Sequence, residues 1–184
     1  AQQINNFSFL SLYQWGKLEP DSTFTALRNG TNPSNITAIV ELYTDSNTNK
    51  YKRLSRSNLN FDTSIISGRV ITAASLTVRL NVKRNDFLSD HNAGFSLYEQ
   101  LIKDNAANNN KFSLANLNLT QIATKYEYSQ LPATPGNLTF NFTSFGAINT
   151  SGITSLMFLS NVDAENGTPE WLSGGNKFYF LQLI

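Results

Sequence analysis

The chain has no cysteine and a single histidine among its 184 residues. Without Cys, disulfides and thiolate metal sites are excluded. A chain of this length buries about 70% of its unfolded surface, so it can hold a core without a covalent staple. The absence fits a cytosolically assembled product slightly better, and otherwise excludes only the small stapled scaffolds. Charge is scarce as well: 15% of residues are charged and the net charge is +1. With no basic patch, nucleic acid is not an expected partner. No run of 18 apolar residues occurs, so no membrane span is expected. No signal peptide lies within the sequence. Ala1 at the start fits either removal of an initiator Met before a small residue or cleavage by a signal peptidase, and the sequence does not separate the two.

What is abundant is neutral polarity: 24 Asn, 19 Ser and 17 Thr. These residues suit turns and solvated strand faces. Such a surface is common on extracellular and virion proteins and suits contact with sugars. A nucleotide bias favouring Asn codons would produce it equally well. A strand is expected at Ala74–Lys83, where the chain alternates without a break. Leu76, Val78, Leu80 and Val82 fall on one side, and Thr77, Arg79, Asn81 and Lys83 on the other. A strand has a side-chain period of two, so this is a half-buried antiparallel strand with four aliphatics toward the core. Further strands are expected at Phe7–Trp15, Thr23–Leu27, Asn35–Tyr43, Leu54–Phe61, Gly94–Ile102, Gln121–Tyr128, Asn137–Thr143, Gly152–Ser160 and Lys177–Ile184. Turn-rich segments such as Asp45–Lys50 and Asp163–Pro169 separate them. About ten short strands at this spacing read as an all-β sandwich or barrel, a single domain over residues 1–184. Helix is confined to a turn or two within Tyr98–Asn109.

Tyr51–Ser64 (YKRLSRSNLNFDTS) leads through Ile65 and Ile66 into Ile71–Leu80 (ITAASLTVRL). This segment resembles the "R…l.FDTS.I…I.sA.L.l" signature of jelly-roll modules related to carbohydrate-binding domains, the DNRLRE-type group. Ile153–Pro169 (ITSLMFLSNVDAENGTP) is similar to that group's later "T.L.lrs..D.....P" segment. The group's usual Pro after the FDTS-Ile turn is replaced here by Ile66-Ser67-Gly68. The resemblance implies an antiparallel two-sheet jelly roll with a binding or structural role, and structural calcium is frequent in such modules. The FDTS segment also has a physical reading of its own. Leu59 and Phe61 point inward, Asp62, Thr63 and Ser64 offer side-chain oxygens to the free N–H groups of a turn, and Ile65 and Ile66 re-enter the core.

Catalysis is not expected. His91 sits in the turn-like Asp90-His91-Asn92-Ala93-Gly94, and no nucleophile motif, phosphate loop or His-pair zinc motif occurs. Calcium takes six to eight oxygens from carboxylates, amides and carbonyls on loops. Two clusters offer such groups: Asp163 and Glu165 with Asn166, then Asp86 and Asp90 with Asn92. Turn capping accounts equally for both. Trp15, Trp171, Tyr126 and Tyr128 lie near turn-like or polar segments and are the candidate platforms for stacking a sugar, Tyr126 and Tyr128 sharing one strand face. Core or rim packing is the structural alternative for each ring. Sequons occur at Asn6, Asn29, Asn35, Asn118, Asn137, Asn141, Asn149 and Asn166. The composition gives about five by chance, so their number alone does not mark them as occupied.

Two functions follow as expectations. One is a non-enzymatic structural module of a virion surface, a capsid decoration or a fibre or tail component, working by assembly and attachment. The other is a carbohydrate-binding or adhesive module of a secreted or cell-surface protein, including a subunit of an extracellular filament. Partners in either case are copies of itself, other particle or surface proteins, or a glycan. The segments expected to make contacts are Phe7–Trp15 and Phe178–Ile184, apolar stretches near the chain ends.

Overall fold

The computed structural model describes residues 8–29, 40–88, 94–101, 114, 117–167, 169, 171 and 178–183. Within them the chain is mostly β, antiparallel throughout, with little helix. The strands are β1 (Ser8–Ser22), β2 (Val40–Thr44), β3 (Tyr51–Asp62), β4 (Ser75–Asn85), β5 (Phe95–Gln100), β6 (Leu117–Asn118), β7 (Gly136–Asn141), β8 (Ile153–Ser160) and β9 (Phe178–Leu183). Two short helices, α1 (Phe24–Asn29) and α2 (Asn161–Glu165), follow β1 and β8.

Five strands in the order β6-β5-β8-β3-β2 form one antiparallel sheet and β4-β7 a two-stranded one. β9 pairs with β2 along one edge and β4 along the other, which makes the strand order continuous. β3 organises the larger sheet. On one edge its first half pairs with β2, from Thr44↔Tyr51 to Glu41↔Ser55, and its second half with β8, from Ser57↔Phe158 to Asp62↔Ile153. Its other edge carries β1 along nearly its whole length, from Ser8↔Asp62 to Ser22↔Tyr51. Covered in this way, Leu54 to Asn60 are buried without a break.

The far ends of the strand order meet in the core. The ring of Phe140 on β7 lies 5.4 Å from Phe95 on β5 and 5.3 Å from Phe158 on β8. The segment between Ile122 and Tyr126 spans the gap with two isolated bridges, Phe95↔Tyr126 and Ala123↔Phe142. A strand was expected at Gln121–Tyr128, yet only these single bridges form. A smaller cluster of Tyr98, Leu117, Met157 and Leu159 packs apart from the main core. β8 is therefore covered on both faces, the physical reason that Leu156 to Leu159 is one unbroken apolar run.

The alternation in β4 holds as far as Leu80. Ser75, Thr77 and Arg79 are exposed, Leu76 and Val78 pack against the core, and Leu80 is fully buried. The register with β9 then slips, from Leu80↔Leu183 to Val82↔Gln182. One extra residue in a ladder is a β-bulge, which twists the strand and re-aims its side chains. Val82, expected in the core, is only half-buried, as are Asn81 and Lys83. Lys83 donates to the Leu131 carbonyl at 2.9 Å instead of facing water. The register makes a direct prediction. Leu80→Ala should cost about 2–5 kcal/mol, whereas Thr77→Ala loses one exposed hydroxyl contact to Thr139 and should be nearly silent in denaturant melts. Equal losses would contradict this placement.

Three local expectations are corrected. Thr23–Leu27 is not a strand: α1 begins at Phe24, the Thr23 hydroxyl accepts from the Ala26 N–H at 3.2 Å, and Phe24 and Leu27 are buried at helical spacing. Tyr98–Gln100 belongs to β5, and the remainder of the expected helix, 102–109, lies outside the described residues. Ile65 does not enter the core. A 3-10 turn over Ser64–Ile66 leaves it 69% exposed and turns Ile66 inward at 7%. The FDTS turn otherwise behaves as capping chemistry. Asp62 accepts from the Ser64 N–H at 3.0 Å, while Thr63 is buried and bonds the carbonyls of Asn149 and Gly152.

Candidate functional site

The most concentrated polar chemistry is a buried ion cluster joining α1, β3 and α2. Arg56, near the centre of β3, is fully buried, as is Asp163 on α2. The guanidinium meets the carboxylate through two bonds, Nε to Oδ2 at 2.6 Å and Nη2 to Oδ1 at 2.8 Å. Nη2 also donates to the Arg28 carbonyl at the end of α1. Arg28 closes the set, its Nε donating to the Asp163 carbonyl at 2.7 Å and lying 3.4 Å from Oδ1. Burial pulls the Arg28 guanidinium below its ordinary pKa, and Asp163 opposes that pull. α2 is built to deliver this carboxylate. The Ser160 hydroxyl caps its start by accepting from the Asp163 N–H, and Asn166, at φ 55°, ends it in the left-handed region.

Two positions along the same strand, Asn58 donates to the Leu156 carbonyl at 2.9 Å and Asn60 donates to Asn58 at 2.8 Å. Ser155 bonds Asn60 in turn. Arg56, Asn58 and Asn60 thus form a buried polar row on β3, with partners supplied by β8 and α2. A second node lies at the start of β5. Asn161 donates to the Tyr126 carbonyl and the Glu127 carboxylate and accepts from Ser96, all inside 3.4 Å. Gly94 sits against it: a Cβ there would meet the Asn161 amide, the Tyr126 carbonyl at 2.6 Å and Glu127 at 2.7 Å. Gly94→Ala should therefore cost about 1–3 kcal/mol, the usual cost of overpacking. Its thermal melt, compared with that of Gly146→Ala, where a Cβ meets nothing within 4 Å, checks this.

Of the candidate calcium ligands, Asp163, Glu165 and Asp86 each hold a cationic side chain. Asp163 has both carboxylate oxygens on Arg56, so a cation there would face two guanidinium groups. Glu165 is exposed and paired with Lys125 at 2.6 Å. Burial pulls the Lys125 ammonium down, but the bond to Glu165 and the field of Glu127 and Glu165 outweigh it and leave its pKa raised. Asp86 accepts from Arg84 through both oxygens at 3.0 Å. Asp90, His91 and Asn92 lie outside the described residues. Among the described residues no three His, Cys, Asp or Glu side chains converge as a metal site would require.

Three of the candidate sugar platforms, Tyr126, Tyr128 and Trp171, have described side chains. Tyr126 packs edge-on against Phe140 at 5.2 Å and donates to the Thr139 carbonyl. Tyr128 does not share a strand face with it, since it opens a 3-10 turn over Tyr128–Gln130, with the Lys83 ammonium 5.1 Å from its ring centre. Trp171 is half-buried against the core and its indole N–H donates to the Asp45 carbonyl at 3.1 Å. Trp15 stands opposite Arg56 in the β1–β3 ladder, and its side chain lies outside the described part. Each described ring already has a packing partner within the chain.

Sequence reasoning missed the Arg28–Arg56–Asp163 cluster. Arg56, Asn58 and Asn60 are spaced two apart, the same pattern that a solvated strand face would show. One acidic residue in a turn-like segment gave no sign of its partner 107 residues away. No family model matches the chain, and no curated protein matches it at a significant level.

Proposed function

We propose that the protein is a non-enzymatic structural module that acts by assembly and attachment on the surface of a virion or cell, with copies of itself as the first partner. The observation that carries this reading is the edge of β1. Of the two segments expected to make contacts, Phe178–Leu183 is consumed inside the sheet as β9, paired on both edges. β1 is 15 residues long, and among the described residues its one ladder is with β3. Between Ser11 and Leu18 its ladder runs unbroken, while register shifts at Phe9/Ser11 and Leu18/Ser22 and the residues Glu19, Pro20 and Asp21 blunt its ends; the regular stretch presents a row of N–H and C=O groups that another chain can extend. Two copies meeting edge to edge through the same strand form a self-complementary, two-fold contact.

A jelly-roll arrangement belongs to the same proposal. Contact between Phe140 on β7 and both Phe95 and Phe158 at the opposite end of the strand order supports it. The buried charges favour a structural role. Asp163 and Arg56 face each other where water and substrate do not reach, and general acid–base catalysis requires groups within reach of a reacting molecule.

The absence of native cysteine makes disulfide trapping a clean test. Single-cysteine variants at Ser11, Gln14 and Lys17 sample the length of β1. Oxidation of the concentrated protein should give covalent dimers from at least one of them, strongest near the centre of the strand. Thr77→Cys, on the exposed face of β4, should give none. A chain that stays monomeric at high concentration, with no dimer from any β1 position, would overturn the reading.

A further inference from the structure

We propose that the protein is N-glycosylated at Asn29, Asn137, Asn141 and Asn166 and not at Asn118 or Asn149. All six head an Asn-x-Ser/Thr sequon, and the fold divides them by what their carboxamides do. Asn118 donates its Nδ2 to Glu99 at 3.2 Å, and its Oδ1 accepts from the Thr120 N–H. Asn149 donates its Nδ2 to the Ile153 carbonyl, and its Oδ1 accepts from both the N–H and the hydroxyl of Ser151. Both side chains are part of the packing that holds their loops, and a sugar on Nδ2 would break it. The other four carboxamides are exposed.

Two of these four form a pattern. Asn137 and Asn141 lie on β7, where Leu138 and Phe140 turn into the core and the alternate positions face out. Four residues of strand separate them by roughly 13 Å, room for two glycans side by side. Opposite them on β4 stand Arg79 and Ser75, both exposed. Among the described residues β7 has a full ladder only with β4, so it is the last strand of the order. Bulky glycans there would stand on the exposed face of the β4–β7 pair. Asn166 is held at φ 55° in the exposed turn that ends α2, and Asn29 ends α1.

The chemistry is a glycosyl transfer from a diphosphate-activated sugar donor. The Asn Nδ2 forms a bond to the anomeric carbon, and the bond from that carbon to the diphosphate oxygen breaks with its electron pair on the leaving group. One Nδ2 proton is released, and nothing is oxidised or reduced. This inference does not depend on assembly through β1, so either can fail alone.

The test is peptide mapping by mass spectrometry of the intact chain isolated from its own cells, with occupancy quantified at each sequon. Sugar-bearing peptides covering Asn137, Asn141, Asn166 and Asn29, with unmodified Asn118 and Asn149, are expected. Replacing Thr139 and Thr143 by Val should remove the two β7 glycans while circular dichroism stays unchanged. A native mass equal to that of the bare polypeptide would overturn the proposal. Occupancy at Asn118 and Asn149 equal to that at the exposed sites would overturn it as well.

Discussion

Asp163→Ala is expected to cost about 3–5 kcal/mol of folding stability, the range for removing one partner of a buried ion pair. The loss has an identifiable source. Arg56 is fully buried and makes two bonds to this carboxylate, and Arg28 sits 3.4 Å from it with 12% of its side chain exposed. Without Asp163, two guanidinium groups inside the protein lose the carboxylate that lies between them. The pair itself is a different matter. Taking both charges out of water consumes most of their attraction, so replacing Arg56 and Asp163 together with apolar residues of similar size is expected to recover much of the loss. Denaturant unfolding of Asp163→Ala, Arg56→Met and the double variant Arg56→Met/Asp163→Leu measures this. Additive losses in the double variant would show that the two residues act independently.

Phe140→Ala should be comparably severe, about 3–5 kcal/mol. Phe140 is fully buried, and its ring touches those of Phe95, Tyr126 and Phe158 at 5.2–5.4 Å. These rings come from β5, β8 and the bridging segment, so the truncation leaves a cavity where both ends of the strand order meet. Aromatic contacts of this kind add to plain area burial. Phe142, two residues on, is half-buried at the rim, and Phe142→Ala should cost markedly less in the same melts. Equal effects would mean that the ends of the sheet do not meet at Phe140.

How far the fold could be read from residues depended on whether a local pattern matched its surroundings. β4 was legible through Leu80 because one face packs inward and the other meets water. It ceased to be legible at the bulge, which is set by pairing with β9 and leaves no mark in β4 itself. β3 misleads for the opposite reason. Arg56, Asn58 and Asn60 alternate as an outward face would, but β1, β2 and β8 crowd both edges of the strand, and distant partners satisfy the buried polar groups. Thr23–Leu27 has the β-branched and aromatic content of a strand, yet the Thr23 cap and the Phe24–Leu27 spacing make it helical. Ile65 and Ile66 look equivalent in sequence, and a 3-10 turn, advancing about three residues per turn, points them in different directions. Of the candidate site residues, the types were informative and the grouping was not. Asp163 is the most consequential acid in the described chain, and what it holds is Arg56.

The proposed assembly depends most heavily on the edge of β1. The most direct measurement is the mass of the intact chain in solution across a wide concentration range, by light scattering or mass photometry. Assembly through β1 predicts a rising population of dimers or larger species. A Pro introduced on the outward-facing N–H positions of β1, where it deletes a donor from the open edge, should abolish that population without unfolding the monomer. A single-chain mass at every concentration, or an assembly that persists unchanged in the Pro variants, would contradict it.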